Sequence, residues 1–279
     1  MKPITDETIQ QFKLYLIDEE KSEATIEKYL RDVKAFAVWL SGRVPDKSIV
    51  LSYKEQLMLK YAVSSVNSVI SSLNSFFLFA DMIKLRIKTV KVQKQMFLKS
   101  ERELSKAEYQ RLLSAAGKQN NKRLSLIMQT ICSTGIRVSE LSYITVESLG
   151  CETAEIRCKG KVRRVFLPKE LCRMLLQYAK KQGITQGSVF ITKSGKPIDR
   201  SNIWADMKRL CETAGVDKRK VFPHNLRHLF ARTYYSLQKD VIRLADILGH
   251  QSVNTTRIYT METGEIHRRQ IQKLGLLRC

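Results

Sequence analysis

Three short segments set ionisable side chains beside a rigid apolar frame: Thr134-Gly-Ile-Arg-Val-Ser-Glu-Leu141, Pro223-His-Asn-Leu-Arg-His228 and Leu248-Gly-His250, the last followed nine residues on by Tyr259. Their side chains suit phosphate chemistry. Arg137 and Arg227 each offer a guanidinium fork that matches phosphate oxygens. His224 stands three residues before Arg227, on the same face if that turn is helical, where an imidazole accepts a proton or donates a hydrogen bond. The phenol of Tyr259, with a reference pKa of about 10, is a poor nucleophile until a neighbour stabilises its anion. Taken singly, each segment also has a structural explanation: Arg137 pairs with Glu140 at i,i+3, His224 caps a helix, and His250 packs after a glycine turn.

The totals point the same way. In 279 residues, 49 Lys and Arg face 27 Asp and Glu, a formal charge of +22. A field that lopsided calls for a polyanion, and duplex DNA fits best because each neutralised phosphate releases counterions. No apolar run approaches the roughly 20 residues that span a bilayer, and residues 1–20 lack the apolar core of a signal peptide, so no membrane partner and a cytoplasmic location are expected. Six cysteines, at 132, 151, 158, 172, 211 and 279, form no Cys-x-x-Cys pair and read as reduced, mostly buried thiols. The His-x3-His spacing of His224 and His228 resembles a zinc half-site but has no paired-cysteine half.

The elements that must position these residues follow from periodicity. Helical stripes run over 8–18, from 23 to Leu40, over 50–62 and over 66–80, giving a four-helix N-terminal body. The segment from Lys84 to Arg102 is basic without a clean period and reads as a connector, the linker proper being 91–102, so the expected domains are 1–90 and 103–279. Ser105-Lys-Ala-Glu108 is a capping box that opens a helix. Strand-like stretches at 155–158 and 162–167 flank Lys159-Gly160-Lys161, a β-hairpin with a basic tip, and 188–192 reads as a further short strand. Helices resume at 201–214, 225–237, 241–248 and 253–259. The fold class is mainly α with a small β-sheet, the C-terminal part a mixed α+β domain.

The order Arg, Lys on a hairpin, His-x-x-Arg, Gly-His, Tyr resembles the catalytic signature of the tyrosine site-specific recombinases, which include phage integrases and the Xer proteins. His224 to His250 is 26 residues, His250 to Tyr259 is nine, and Pro-His-x-Leu-Arg-His and Leu-Gly-His stand as that family has them. The resemblance covers the whole chain: Ser22-Glu-Ala-Thr-Ile-Glu-Lys-Tyr-Leu-Arg-Asp-Val-Lys-Ala-Phe36 looks like a DNA-facing helix of the family's SAM-like core-binding domain. It implies an enzyme that cleaves and rejoins DNA through a 3′-phosphotyrosine and a Holliday junction without metal, ATP or other cofactor. Tyr259 is then the nucleophile. Arg137 and Arg227 hold the non-bridging oxygens, His224 takes the phenol proton or bonds the phosphate, and His250 adds a donor, with Glu140 in a supporting position.

A hairpin lysine protonates the leaving 5′-oxygen in this family, and here the chain departs from the pattern. Members commonly show Lys-Gly, one polar residue, then Lys-x-Arg-x-Val-Pro-Leu, whereas this chain has Lys159-Gly-Lys-Val-Arg-Arg-Val-Phe-Leu-Pro168, one turn residue shorter and with Phe166 in place of Pro. Lys159 is assigned as the acid by its Lys-Gly neighbour, and Lys161 is the competing candidate. Candidate DNA contacts in the N-terminal body are Lys28, Arg31, Lys34, Ser65, Asn67 and Ser68. The resemblance further implies a homo-tetramer on two DNA sites, or a hetero-tetramer with a related recombinase, with 262–279 as a tail that docks on a neighbour or on its own domain. No small domain precedes the four-helix body, so the chain is more similar to Xer-like, transposon or integron-type enzymes than to arm-binding phage integrases. A type IB topoisomerase and a DNA-binding protein that has lost cleavage are the alternatives.

Overall fold

The first four helices form because each carries an apolar stripe at helical spacing that only a neighbouring helix can cover. They are α1 (Asp6–Asp18), α2 (Glu23–Leu40), α3 (Lys47–Lys60) and α4 (Val63–Phe79). Thr5 and Asp46 cap α1 and α3, each accepting a hydrogen bond from the backbone N–H three residues on. The stripes meet in an aromatic core in which Phe12 packs edge-on against Phe76 and Phe36 against Phe77. The computed structural model describes residues 4–91, 102–158, 161–192, 194–250, 252–260 and 272–273, with only the backbone of Cys158 and Lys161. The chain divides into two compact units, Met1–Lys94 and Gln95–Cys279.

Residues 84–90, which composition suggested as part of a connector, belong to the first unit. Leu85 and Ile87 are buried. Two asparagines two helical turns apart on α4 act as surrogate strand partners: Asn74 exchanges two hydrogen bonds with the backbone of Ile87 (2.8 and 2.9 Å), and Asn67 does the same with Val90 (2.9 and 2.8 Å). Composition misses this because the apolar anchors are two isolated residues among lysines.

The second unit begins with α5 (Lys106–Lys118), opened by the expected capping box: Ser105 Oγ accepts from the Glu108 N–H and the Glu108 carboxylate accepts from the Ser105 N–H. Next come α6 (Lys122–Thr134), a 3₁₀ run (Val138–Tyr143) and α7 (Val146–Gly150). Strands β1 (Thr153–Cys158) and β2 (Lys161–Phe166) form the expected hairpin, antiparallel with Cys158 opposite Lys161. Then α8 (Lys169–Lys181), α9 (Arg200–Ala214), α10 (Pro223–Gln238), α11 (Val241–Leu248) and α12 (Val253–Thr256) follow, the last passing into a 3₁₀ turn at Arg257–Tyr259. Two expectations are corrected. Residues 188–192 are not a strand, since only the isolated bridges Thr145 to Ser188 and Ile191 to Pro197 form and no partner continues them. The stretch 253–259 is not one α-helix, because it tightens to 3₁₀ as it delivers Tyr259.

Among the described residues no helix is long and apolar enough to cross a membrane. Cys172 and Cys211 are buried free thiols, Cys132 is partly buried and Cys151 exposed; the side chains of Cys158 and Cys279 lie outside the described set, as does the expected docking tail apart from residues 272–273. Replacing Asn74 by Ala removes both bonds to Ile87. We expect a loss of about 2 kcal/mol in the first unit, at about 1 kcal/mol per bond, and fast exchange of the Ile87 amide. Hydrogen exchange read by mass spectrometry checks this, and unchanged protection would contradict it.

Candidate active site

Helix α6 ends at Gly135, whose φ of 67° turns the chain sharply; a Cβ there would lie 2.4 Å from the Phe230 ring, so only glycine fits. The turn presents Arg137 at the start of the 3₁₀ run. Glu140, 3% exposed, fastens it: its carboxylate accepts from the Arg137 backbone N–H (2.7 Å) and from Arg137 Nη1 (2.8 Å). The same carboxylate accepts from Arg163 Nη2 of β2 at 2.6 Å. Arg163 also donates from Nη1 to the Ile247 carbonyl (2.6 Å), and its stem fills the space over Gly249, where a Cβ would lie 2.5 Å from Cδ. One carboxylate thus ties the first arginine, the base of the hairpin and, through Arg163, the turn that precedes His250.

Arg227, carried near the start of α10, is 1% exposed. Its Nη1 donates to the Gly135 carbonyl (2.5 Å) and its Nη2 to the Leu248 carbonyl (2.7 Å) and to His250 Nε2 (3.0 Å). A guanidinium only donates, so His250 Nε2 is the acceptor and its Nδ1–H donates to Thr256 Oγ1 at 2.8 Å. In the free protein His250 is thus a hydrogen-bonding partner of Arg227. Tyr259, 4% exposed, sets its phenol within reach of the Arg227 charge. Its ring stacks on His250 (centroids 6.1 Å) and receives His228 edge-on (4.9 Å), and His228 in turn contacts His224 (4.6 Å).

Burial and a surplus of cations set the protonation of this cluster. His224 and His250 are each pushed down to about 4, by burial first, then by His228, Arg227 and Arg137 at His224 and by Arg227, Arg137 and Arg163 at His250. Arg227 is pushed down to about 10 by burial and by Arg137, and remains a cation at neutral pH. The Tyr259 phenol is raised by burial, which outweighs the opposing charge and hydrogen bond of Arg227. The free site thus holds two guanidiniums, neutral imidazoles and a protonated phenol.

The structure brings Arg137, Glu140, His224, Arg227, His250 and Tyr259 together in one cluster. Lys159 lies outside the described residues, and Lys161 is seen only as backbone at the first position of β2. Arg163 and Thr256 were missed; strand alternation offered a signal for Arg163, which shares the face of buried Val165 while Arg164 points to solvent. In the first unit two candidate contacts have partners within the unit. The Lys28 ammonium is held by Asp32 (2.5 Å), Ser72 Oγ (3.1 Å) and the Ser68 carbonyl (3.2 Å), and the Asn67 amide is engaged by Val90. Arg31, Lys34 and Ser65 are exposed, and Ser68 is half-buried. Among the described residues no group of three or more His, Cys, Asp or Glu is gathered to hold a metal ion.

Residues 102–265 match the phage integrase family and residues 9–82 the phage integrase N-terminal SAM-like domain. The chain belongs to the phage integrase family, the tyrosine site-specific recombinases. It is 27% identical over 286 residues to tyrosine recombinase XerA of Pyrococcus furiosus, covering 99% of this chain and 96% of that one. A crystal structure of XerA recombinase aligns with a TM-score of 0.53 and 26% identity over 99% of this chain and 100% of that one. A lambda integrase tetramer bound to a Holliday junction shares the fold, with a TM-score of 0.71 and 16% identity over 91% of this chain and 76% of that one.

Replacing Glu140 by Ala strips the carboxylate from two guanidiniums, and we expect a loss of about 3 kcal/mol or more in the second unit, read as a lower thermal midpoint. The histidine shifts give a signed pH dependence. An unfolded imidazole titrates near 6.5 and the native ones near 4, so between these values the unfolded chain binds more protons. Stability falls as the pH drops through that window. NMR titration of the four histidines should show two midpoints far below 6.5, both rising when a phosphate diester occupies the site.

Proposed function

We propose that the chain is a site-specific recombinase that cleaves one strand of duplex DNA with Tyr259. The phenol oxygen bonds to the scissile phosphorus as the bond from phosphorus to the 5′-oxygen breaks, leaving a 3′-phosphotyrosine and a free 5′-hydroxyl. The observation that carries this reading is the buried Tyr259 ring stacked on His250, whose Nε2 accepts from Arg227. Arg227 and Arg137 take the non-bridging oxygens and offset the charge that grows at phosphorus, the largest effect expected here. His224, neutral down to about pH 4, is free to accept the phenol proton. His250 keeps Arg227 in plane. The 5′-oxygen receives its proton from a hairpin lysine, assigned to Lys159 with Lys161 as the competitor.

The ester conserves the energy of the broken bond, so the 5′-hydroxyl of a partner duplex can reverse the step. Two such rounds exchange two strand pairs through a Holliday junction, which four protomers on two sites would hold. The lambda integrase tetramer on such a junction supports this by likeness of fold, and the formal charge of +22 supports a DNA partner. Four identical copies are the simplest assembly, and a related recombinase could replace two of them. We assign residues 1–90 as the core-binding domain, with Lys28, Arg31, Lys34, Ser65, Asn67 and Ser68 as its candidate DNA contacts, 91–102 as linker, and 103–279 as the catalytic domain.

The test is a nicked suicide duplex drawn from DNA flanking the gene. A covalent protein–DNA adduct on a denaturing gel is expected for the native sequence and not for Tyr259→Phe; an adduct in that variant would refute the assignment. Whichever of Lys159→Ala and Lys161→Ala loses cleavage on ordinary DNA but regains it on a substrate with sulfur at the 5′-bridging position is the acid, since a thiolate leaves without a proton.

A further inference from the structure

The mechanism above leaves a partly buried acid–base pair beside the nucleophile without a task. His228 lies one helical turn after His224 on α10, and its ring touches both His224 (4.6 Å) and Tyr259 (4.9 Å, interplanar 87°). Its Nδ1 faces Glu103 Oε1 at 3.7 Å, and Glu103 is in turn 3.0 Å from Arg232 Nη1. Partial burial of the Glu103 carboxyl opposes ionisation, yet His228 and Arg232 hold it below the usual range, so it is charged at neutral pH. With Nδ1 turned to a carboxylate, the tautomer of a neutral His228 is fixed and Nε2 is left as an acceptor. That Nε2 is buried and has no hydrogen-bond partner among the described residues.

Glu103 is itself held in place. The carbonyls of the residues on either side accept hydrogen bonds from α10, Arg102 from Asn225 Nδ2 (2.8 Å) and Leu104 from Arg232 Nη2 (2.9 Å). The strand that enters the second unit is thereby fastened along the helix that carries His224, Arg227 and His228. This is more fixation than a packing histidine requires.

We propose that His228, oriented by Glu103, is a positioning residue that holds the Tyr259 ring against Arg227 and keeps His224 in register with it for strand cleavage. The inference rests on Tyr259 as nucleophile. His228 forms the middle rung between the group that attacks and the group that accepts its proton. Glu103 adds a negative charge near the phenol that opposes its ionisation, so the pair fixes both the place and the charge environment of the nucleophile.

The experiment uses the full chain and the suicide duplex, with Glu103→Gln, His228→Asn, Glu103→Asp and Tyr259→Phe. Three quantities are read: duplex affinity by gel shift, the single-turnover rate of adduct formation across pH, and the thermal midpoint. For Glu103→Gln and His228→Asn we expect unchanged affinity and a cleavage rate lower by about 10²-fold, the cost of a small misplacement of reacting groups. The loss should persist on the 5′-sulfur substrate, because leaving-group protonation is not what fails. In Glu103→Gln the alkaline limb of the rate profile should move to lower pH, and Glu103→Asp should recover part of the rate. Native rates in both variants would overturn the proposal. So would a parallel fall of affinity, midpoint and rate, which marks a purely structural pair. An adduct formed by Tyr259→Phe would show that the nucleophile itself is misassigned, and the proposal would fall with it.

Discussion

The guanidinium of Arg227 is almost completely removed from water, and a cation in that position survives only if its donors meet acceptors that cannot drift. The fold answers with two helix ends. Helix α6 stops at Gly135 and α11 at Gly249, both in the left-handed region, and the carbonyls released there, of Gly135 and Leu248, are the ones Arg227 takes. The negative ends of two helix dipoles therefore converge on one buried cation. Neither glycine is replaceable, because the Phe230 ring and the Arg163 stem occupy the space where side chains would go. Helix α10 supplies the cation, α6 and α11 supply its cage, and the 3₁₀ turn after α12 sets Tyr259 on the free side of it.

A second dependence follows from charge. Arg137, Arg163 and Arg227 share a single buried carboxylate, Glu140, which bonds the first two and leaves Arg227 without a carboxylate of its own. Burial, together with this surplus, keeps His224 and His250 neutral, and neutrality is what lets His250 accept from Arg227 and leaves His224 free to accept a proton. A phosphate diester supplies the missing anion.

Much of this arrangement was legible in the sequence because its local parts are strong signals. The stripe of α11 and the capping box of α5 need only neighbours within a few residues, and the hairpin is announced by two strand-like stretches around Lys-Gly. The site residues were legible through their spacing and the resemblance it carried. What stayed hidden was non-local. Arg163 reaches Ile247 across 84 positions, Glu103 reaches His228 from before α5, and Lys28 is engaged by Ser72 44 positions away, a partner that its place on an amphipathic face does not reveal. The Lys28 and Asp32 pairing at i,i+4 was visible and pointed the other way. Asn67 and Asn74 were unreadable as anchors because nothing in α4 itself reveals that an extended segment will lie along it.

The balance between Tyr259 and its surroundings explains why the nucleophile is stored in the protonated form. Burial raises the phenol, and Arg227 alone does not overcome it. A phenolate standing free among three arginines would be a stable anion with its attack already damped by ion pairing. A phenol near the Arg227 charge and stacked on a neutral imidazole has no such ground state to leave. On the proposed mechanism, an arriving phosphate would favour a proton on His224, and the negative charge formed on the phenol oxygen would pass into the pentavalent phosphate without moving away from the guanidiniums. On that mechanism the cation cage would favour the transition state over the resting phenol, and the tight packing over Gly135 and Gly249 would limit how far it can relax.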